Sequence, residues 1–334
     1  MNCYLKIFQK LPILLFAILP LELNAAPRVA TSIAPIHSLA SMVLEGIGEA
    51  DLILSGGQSP HTFSLTPSSA RTVLDADLVV YVSDSYETGL GKILKNIESE
   101  NRLMLMEMRD QLAILPLRQG GRWEGHNHFE SGDSSDATNH SSDESPSHNS
   151  NHKPDGHAES ADDRFLDPHL WLSPDNAEGI ILLLRDKLSS IDPKNAQQYS
   201  INAKSAIEKI RNHSEMIRQK LQSVSDHSYL VYHDAFQYFE SYFSLHALGS
   251  VTLSPDQKPG ARRISALRQL IEDEEIHCIF SEPQFEPRMV SNLTEDLDIT
   301  RSELDPLGAN IDKGAKLWFE LTFDLAESLN SCLK

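Results

Sequence analysis

Residues 193–224 form one long amphipathic stretch, set between two segments in which short apolar runs alternate with helical spacing, and few architectures accommodate that order. Ala196, Tyr199, Ile201, Ala203, Ala206, Ile207, Ile210, Met216, Ile217 and Leu221 recur among charged side chains, a helical stretch. At 1.5 Å per residue, some thirty residues reach roughly 45 Å. No Gly/Ser run softens the stretch, so it reads as a stiff connector that permits only small changes between the parts it joins. Asp192-Pro193 separates it from an earlier helix opened by Ser173-Pro174, a serine cap followed by proline in the first turn.

The flanking segments share a pattern. Before the connector, residues 28–33, 50–54 and 76–82 are short apolar runs, with helical spacing over 35–43 and again from Thr66-Pro67. Beyond it, strands are expected at 228–232, 247–253, 276–281 and 298–300. Helices are expected at 236–243, from Pro259-Gly260, and over 314–329. Uninterrupted runs such as Leu78-Val79-Val80-Tyr81 suit strands buried on both faces of a parallel sheet. The expected fold is therefore α/β, with two (β/α) lobes, each holding a mainly parallel sheet, joined by a long rigid connector helix. The boundaries are 26–173 for the first lobe, 174–226 for the helical connector and 227–334 for the second lobe.

Residues 120–164 break the pattern. Ser, Asp, Asn and Gly dominate there, with almost no aliphatic side chains, a composition that cannot bury enough apolar surface to order itself. His126, His128, His140, His148, His152 and His157 lie in this insertion among ten carboxylates and one lysine. That mixture suits low-affinity capture of zinc-like ions. Between Glu124 and Asp163 the insertion supplies nine of the nineteen net negative charges of the chain, and the overall acidic balance argues against nucleic acid and anionic membrane surfaces as partners.

Residues 1–25 read as an export signal: Lys6 and Lys10 precede an apolar run over 11–23 and a small-residue end at Ala25-Ala26. Pro27 disfavours cleavage directly after Ala26, which moves the expected site to Ala25. Removal of the signal leaves Cys278 and Cys332, an even pair that favours a disulfide in an oxidising compartment.

Three histidines stand just beyond elements of the α/β pattern, where ligands gather in open sheets. His61 follows the second strand, His169 precedes the Ser-Pro helix start, and His233 ends the strand opening the second lobe. Glu282 and Asp305 close later strands. Nitrogen-rich ligation with at most one carboxylate suits zinc, whereas oxygen-rich sites suit manganese or calcium. Three histidines with an open position are also how a hydrolytic zinc centre is built, but no companion general base stands in a recognisable motif, and the expectation is a protein that is not an enzyme. His37, His213, His227, His246 and His277 have no such setting and are expected on the surface or in the core.

The stretches Ser59-Pro60-His61-Thr62-Phe63, Asp167-Pro168-His169-Leu170-Trp171-Leu172-Ser173, Tyr232-His233-Asp234-Ala235-Phe236, Ser281-Glu282-Pro283-Gln284-Phe285 and Leu304-Asp305-Pro306-Leu307-Gly308 together resemble the ZnuA-type zinc-binding proteins. These are the solute-binding components of bacterial ABC zinc importers. The resemblance covers essentially the whole chain after residue 25. It implies a monomeric periplasmic protein that holds Zn²⁺ between its lobes through His61, His169 and His233 and delivers it to an inner-membrane ABC permease. Sequestration of zinc without transport is the other outcome. A histidine at 233 is informative, since manganese-binding relatives place a carboxylate there. Some members carry a glutamate just before the first ligand histidine, but Pro60 stands there in this chain. Asp305 is therefore the expected fourth ligand, with Glu282 or a water behind it.

Overall fold

The computed structural model describes residues 26–54, 57–119, 122–123, 163–252, 258–286 and 288–334. The expected export signal and the six histidines of the insertion lie outside the described residues.

Before the connector, the strands are β1 (Val29–Thr31), β2 (Ala50–Leu52), β3 (Leu78–Tyr81) and β4 (Arg102–Met104), with helices α1 (Ala34–Val43), α2 (Pro67–Asp75) and a single turn α3 (Gly91–Leu94) between them. The sheet runs β2-β1-β3-β4 and is parallel throughout. Beyond the connector, β5 (Ser228–His233), β6 (His246–Thr252), β7 (Cys278–Ser281) and β8 (Thr300–Glu303) form a second parallel sheet in the order β6-β5-β7-β8. The helices here are α6 (Gln237–Phe243), α7 (Ala261–Asp273), α8 (Arg288–Leu293) and α9 (Leu317–Cys332). Both sheets thus carry the same winding. In each, the chain order reverses beside the opening strand, and the crevice at the strand carboxyl ends there is the usual ligand position.

Alternation along the central strands sorts side chains between layers. Leu78, Val80 and Val82 join Tyr229, Val231 and Phe280 in one core that runs from the first sheet to the second. Val79 and Tyr81 face a smaller cluster outside the first sheet, and Leu230 and Tyr232 face another outside the second.

The connector consists of α4 (Pro174–Ile191) and α5 (Ala196–Leu221), with the chain turning back at Asp192-Pro193 so that the two helices pack together. Ser173 caps α4 by accepting from Asn176 N at 3.3 Å. The 26-residue α5 is fastened to the first lobe near its start, where Asn202 Nδ2 donates to Val43 O and Glu45 O at 2.9 and 2.8 Å. Farther along, its His213 Nε2 lies 2.9 Å from Thr322 Oγ1 of α9. A helix tied to both lobes acts as a strut. Further ties bypass it: Trp318 Nε1 donates to Trp171 O at 2.9 Å, and Trp171 Nε1 donates to Pro306 O at 2.8 Å.

Cys278 and Cys332 form a disulfide across 54 residues, tying β7 to α9, and loop-entropy models assign such a bridge roughly 3–4 kcal/mol. Two strands depart from the sequence reading. β4 was not expected, being three residues with only Leu103 fully buried, too short for a periodic signal. The strand expected at 298–300 begins at Thr300, where it pairs with Cys278. Among the described residues no helix is long and apolar enough to cross a membrane.

Candidate metal centre

Local structure places the three histidines by three different means. His61 lies in the loop after β2, where Thr88 Oγ1 donates to its carbonyl at 3.2 Å and its ring meets Tyr86 edge-on at 4.8 Å. His169 sits one residue past the rigid Asp167-Pro168 step, just before the Leu170–Leu172 turn. Asp167 Oδ1 accepts from His169 N at 3.0 Å and contacts His169 Nδ1 at 2.8 Å. His233 is the last residue of β5, and Glu282, directly after β7, repeats the arrangement across 49 residues. Its Oε1 accepts from His233 N at 3.2 Å and lies 2.5 Å from His233 Nδ1.

A buried carboxylate on Nδ1 fixes the imidazole tautomer, since Nδ1–H donates outward and Nε2 is left with a lone pair. Both lone pairs point to one place, with His169 Nε2 and His233 Nε2 3.3 Å apart. His61 joins them from the other side, its ring 5.9 Å from each of the other two. One nitrogen from each of the three lies within 4.8 Å of the others. His61 Nε2, Asp167 Oδ2 and Glu282 Oε2 are all buried without a hydrogen-bond partner. Of these, His61 Nε2 belongs to the converging rings, and a buried ring nitrogen without a partner there suits a divalent cation.

The electrostatics agree. Burial holds His61 and His169 well below the ordinary imidazole pKa, reinforced by the neighbouring histidines, so both are neutral donors of lone pairs at pH 7. For His233, burial acts in the same direction but the Glu282 carboxylate outweighs it, and its pKa is raised. Burial raises Asp167 to about 7 and raises Glu282 against the pull of His233.

The structure brings His61, His169 and His233 together and leaves both carboxylate candidates outside the nitrogen cluster. Glu282 stands behind His233, on the far nitrogen. Asp305 is engaged in its own loop, where it accepts from Leu307 N at 2.9 Å, Ala309 N at 2.5 Å and Gln284 Nε2 at 2.7 Å. Asp167 had no assigned role in the sequence reading, although its place two residues before a histidine was the available signal. Among the other histidines, His37 is a core residue whose Nε2 lies 2.9 Å from Ala50 O, and His246 is exposed.

Comparison with known proteins bears on this geometry. Residues 29–332 match the family described as ZnuA, zinc-uptake complex component A, periplasmic. The chain is 34% identical over 312 residues to the High-affinity zinc uptake system protein ZnuA of Brucella abortus (strain 2308), covering 91% of each. It is 28% identical over 310 residues to the protein of the same name from Yersinia pestis, covering 93% of this chain and 92% of that one. Two solved structures share the fold. A crystal structure of ZnuA matches with a TM-score of 0.71 at 18% identity, over 92% of this chain and 100% of that one. The periplasmic zinc binding protein TroA from Treponema pallidum matches with a TM-score of 0.70 at 16% identity, over 92% and 99%. With a family match that spans both lobes and a relative above 30% identity across nearly the whole length, this chain belongs to the ZnuA family.

Proposed function

We propose that this chain is the zinc-capturing component of an ABC importer, binding Zn²⁺ in the periplasm and handing it to a membrane permease. One observation carries the reading: three imidazole nitrogens converge on one buried point, two of them with the opposite ring nitrogen held by a buried carboxylate. Nitrogen-only ligation of this kind suits Zn²⁺ over Mg²⁺, Ca²⁺ or Mn²⁺. His61, His169 and His233 are the ligands in this reading, and solvent supplies the fourth position, since the Asp305 oxygens cap their own loop. Zinc is cargo here and must be released, which a solvent-completed site favours.

The test has two arms. The exported chain should bind one Zn²⁺ tightly, and deletion of residues 120–164 should lower the total zinc bound at excess metal while leaving that single tight site. A strain lacking the chain should fail to grow in chelated medium and recover when zinc is added. Normal growth in chelated medium, together with tight binding in vitro, would favour sequestration over transport.

A further inference from the structure

Residues 113–119 and 122–123 belong by sequence to the first lobe, yet the second lobe holds them. Tyr238 of α6 contacts Leu115 N at 2.9 Å through its hydroxyl, and the same hydroxyl donates to Asp167 O at 2.9 Å. Farther along, the backbone lies directly on β6, so closely that a Cβ at Gly249 would sit 2.9 Å from Arg122 O. Arg263 Nη2 donates to that same carbonyl at 2.9 Å, and Arg122 is ion-paired with Glu274. The segment is a strap across the second lobe. Its neighbour in space, residues 165–167, runs antiparallel to it through Pro116 and Leu166 and leads two residues later to His169.

Arg118 is the strap's innermost charge. Its Nε donates to both Asp234 oxygens at 3.0 Å, its Nη2 also reaches Asp234, and its Nη1 donates to Glu240 Oε2 at 2.6 Å. Tyr229 Oη donates to the other Glu240 oxygen at 3.2 Å, and the ring of Trp123 covers the guanidinium at 3.7 Å. The side chains of Asp234 and Glu240 are 2% and 4% exposed, so one guanidinium is shared between two carboxyl groups that have left water behind. Asp234 follows His233 directly, in a turn closed by Ala235 N donating to His233 O at 2.9 Å. Glu282 holds the His233 ring, and Arg118 holds the side chain of the next residue, Asp234.

We propose that Arg118 is a positioning residue for the metal centre: from the first lobe's strap it holds the Asp234 turn of the second lobe, and so sets His233 against His61 and His169. The inference rests on reading these three histidines as the zinc ligands. Only a planar fork can serve Asp234 and Glu240 at once; a lysine ammonium keeps the charge but not the geometry. Loss of the fork therefore loosens His233 even where the charge is kept.

The experiment compares wild type, R118K and R118M in the full exported chain. Circular dichroism establishes folding, zinc release to an excess of chelator gives the dissociation rate, and the visible absorption of the Co²⁺-loaded protein reports ligand geometry. Both variants should release zinc roughly 10-fold faster or more, the usual effect of removing a group that orients a metal ligand, and both should show an altered Co²⁺ spectrum. A merely stabilising Arg118 would lower the melting temperature and leave both readouts unchanged, and that result in folded R118K overturns the inference. Should R118M not fold, R118K and D234N, which preserve the packed volume, carry the same readouts. Wild type that binds neither Zn²⁺ nor Co²⁺ overturns the assignment of the histidines as well; wild type that binds normally, matched by its variants, overturns only the role of Arg118.

Discussion

His233 Nδ1 and Glu282 Oε1 lie 2.5 Å apart between residues separated by 49 positions in the chain, joining the carboxyl end of β5 to that of β7. In the proposed site the carboxylate would orient the ring and raise the basicity of the opposite nitrogen from behind it. Glu282→Gln keeps an acceptor of the same shape and removes the charge. Zinc affinity should fall roughly 10- to 100-fold, while the metal-free protein should melt no lower, because a neutral amide is easier to bury than a carboxylate. Competition with a chromogenic chelator and a thermal melt decide it; unchanged affinity removes Glu282 from the site.

His169→Ala should weaken zinc binding more than any substitution behind the ligands, by roughly 100-fold or more on the same scale. His152→Ala, in the insertion, should leave the tight site as it is. Equal effects in chelator competition would mean that the tight site is not where the three imidazoles meet.

Asp305→Ala separates a ligand from a loop cap. Leu307 N and Ala309 N lose their acceptor, a loss of about 1–3 kcal/mol in stability. Zinc affinity should change only a few-fold, far less than for His169→Ala. An affinity loss comparable to that of His169→Ala would make Asp305 the fourth ligand after all.

Proton competition should have the slope of one group. Burial keeps His61 and His169 well below the ordinary imidazole range, so they stay neutral as the pH falls. His233 is raised, because Glu282, with Asp234 and Asp167 behind it, outweighs the effect of burial. A raised pKa means the proton binds His233 first, and zinc must displace it. Affinity should therefore fall about tenfold per pH unit once the pH drops below the raised His233 pKa. A thousandfold fall per unit would show three imidazoles titrating together.

Glu87 gives a pH dependence of stability with the opposite sign. Its carboxylate accepts from Val82 N and Ser83 N, each at 2.9 Å, yet burial outweighs these bonds and raises its pKa from 4.5 to about 7. The folded state then holds a proton that the unfolded state has released, so stability falls as the pH rises through this window and the loss is complete above about 7. The full difference is about 3 kcal/mol. Glu87→Gln removes this contribution, and metal-free melts at the two ends of the window should differ less in the variant than in wild type. Parallel behaviour would mean that Glu87 ionises normally.

The sequence made the repeated α/β pattern legible because buried parallel strands are written as unbroken apolar runs, and 78–81 is one of them. That the three histidines meet was suggested by their places at element ends and singled out by the motifs shared with the ZnuA-type proteins. What stands behind them was less so. Glu282 and Asp305 both look like carboxylates at strand ends, and only the fold shows that one turns toward His233 while the other turns back on Leu307 and Ala309. Arg118 carried no signal at all. It lies before a polar insertion with no periodicity around it, and its partners are 116 and 122 residues away.

Trp171 sits with its ring 5.3 Å from that of His169, its indole N–H on Pro306 O and its carbonyl under Trp318. On the proposal that His169 is a ligand, the molecule carries its own lamp beside the cargo. A filled-shell ion on His169 would leave the excited Trp171 indole free to emit, and an open-shell ion on the same nitrogen would quench it at such short range. The share of the emission lost on Trp171→Phe would then separate this indole from Trp123 and Trp318 and follow the ion without a dye.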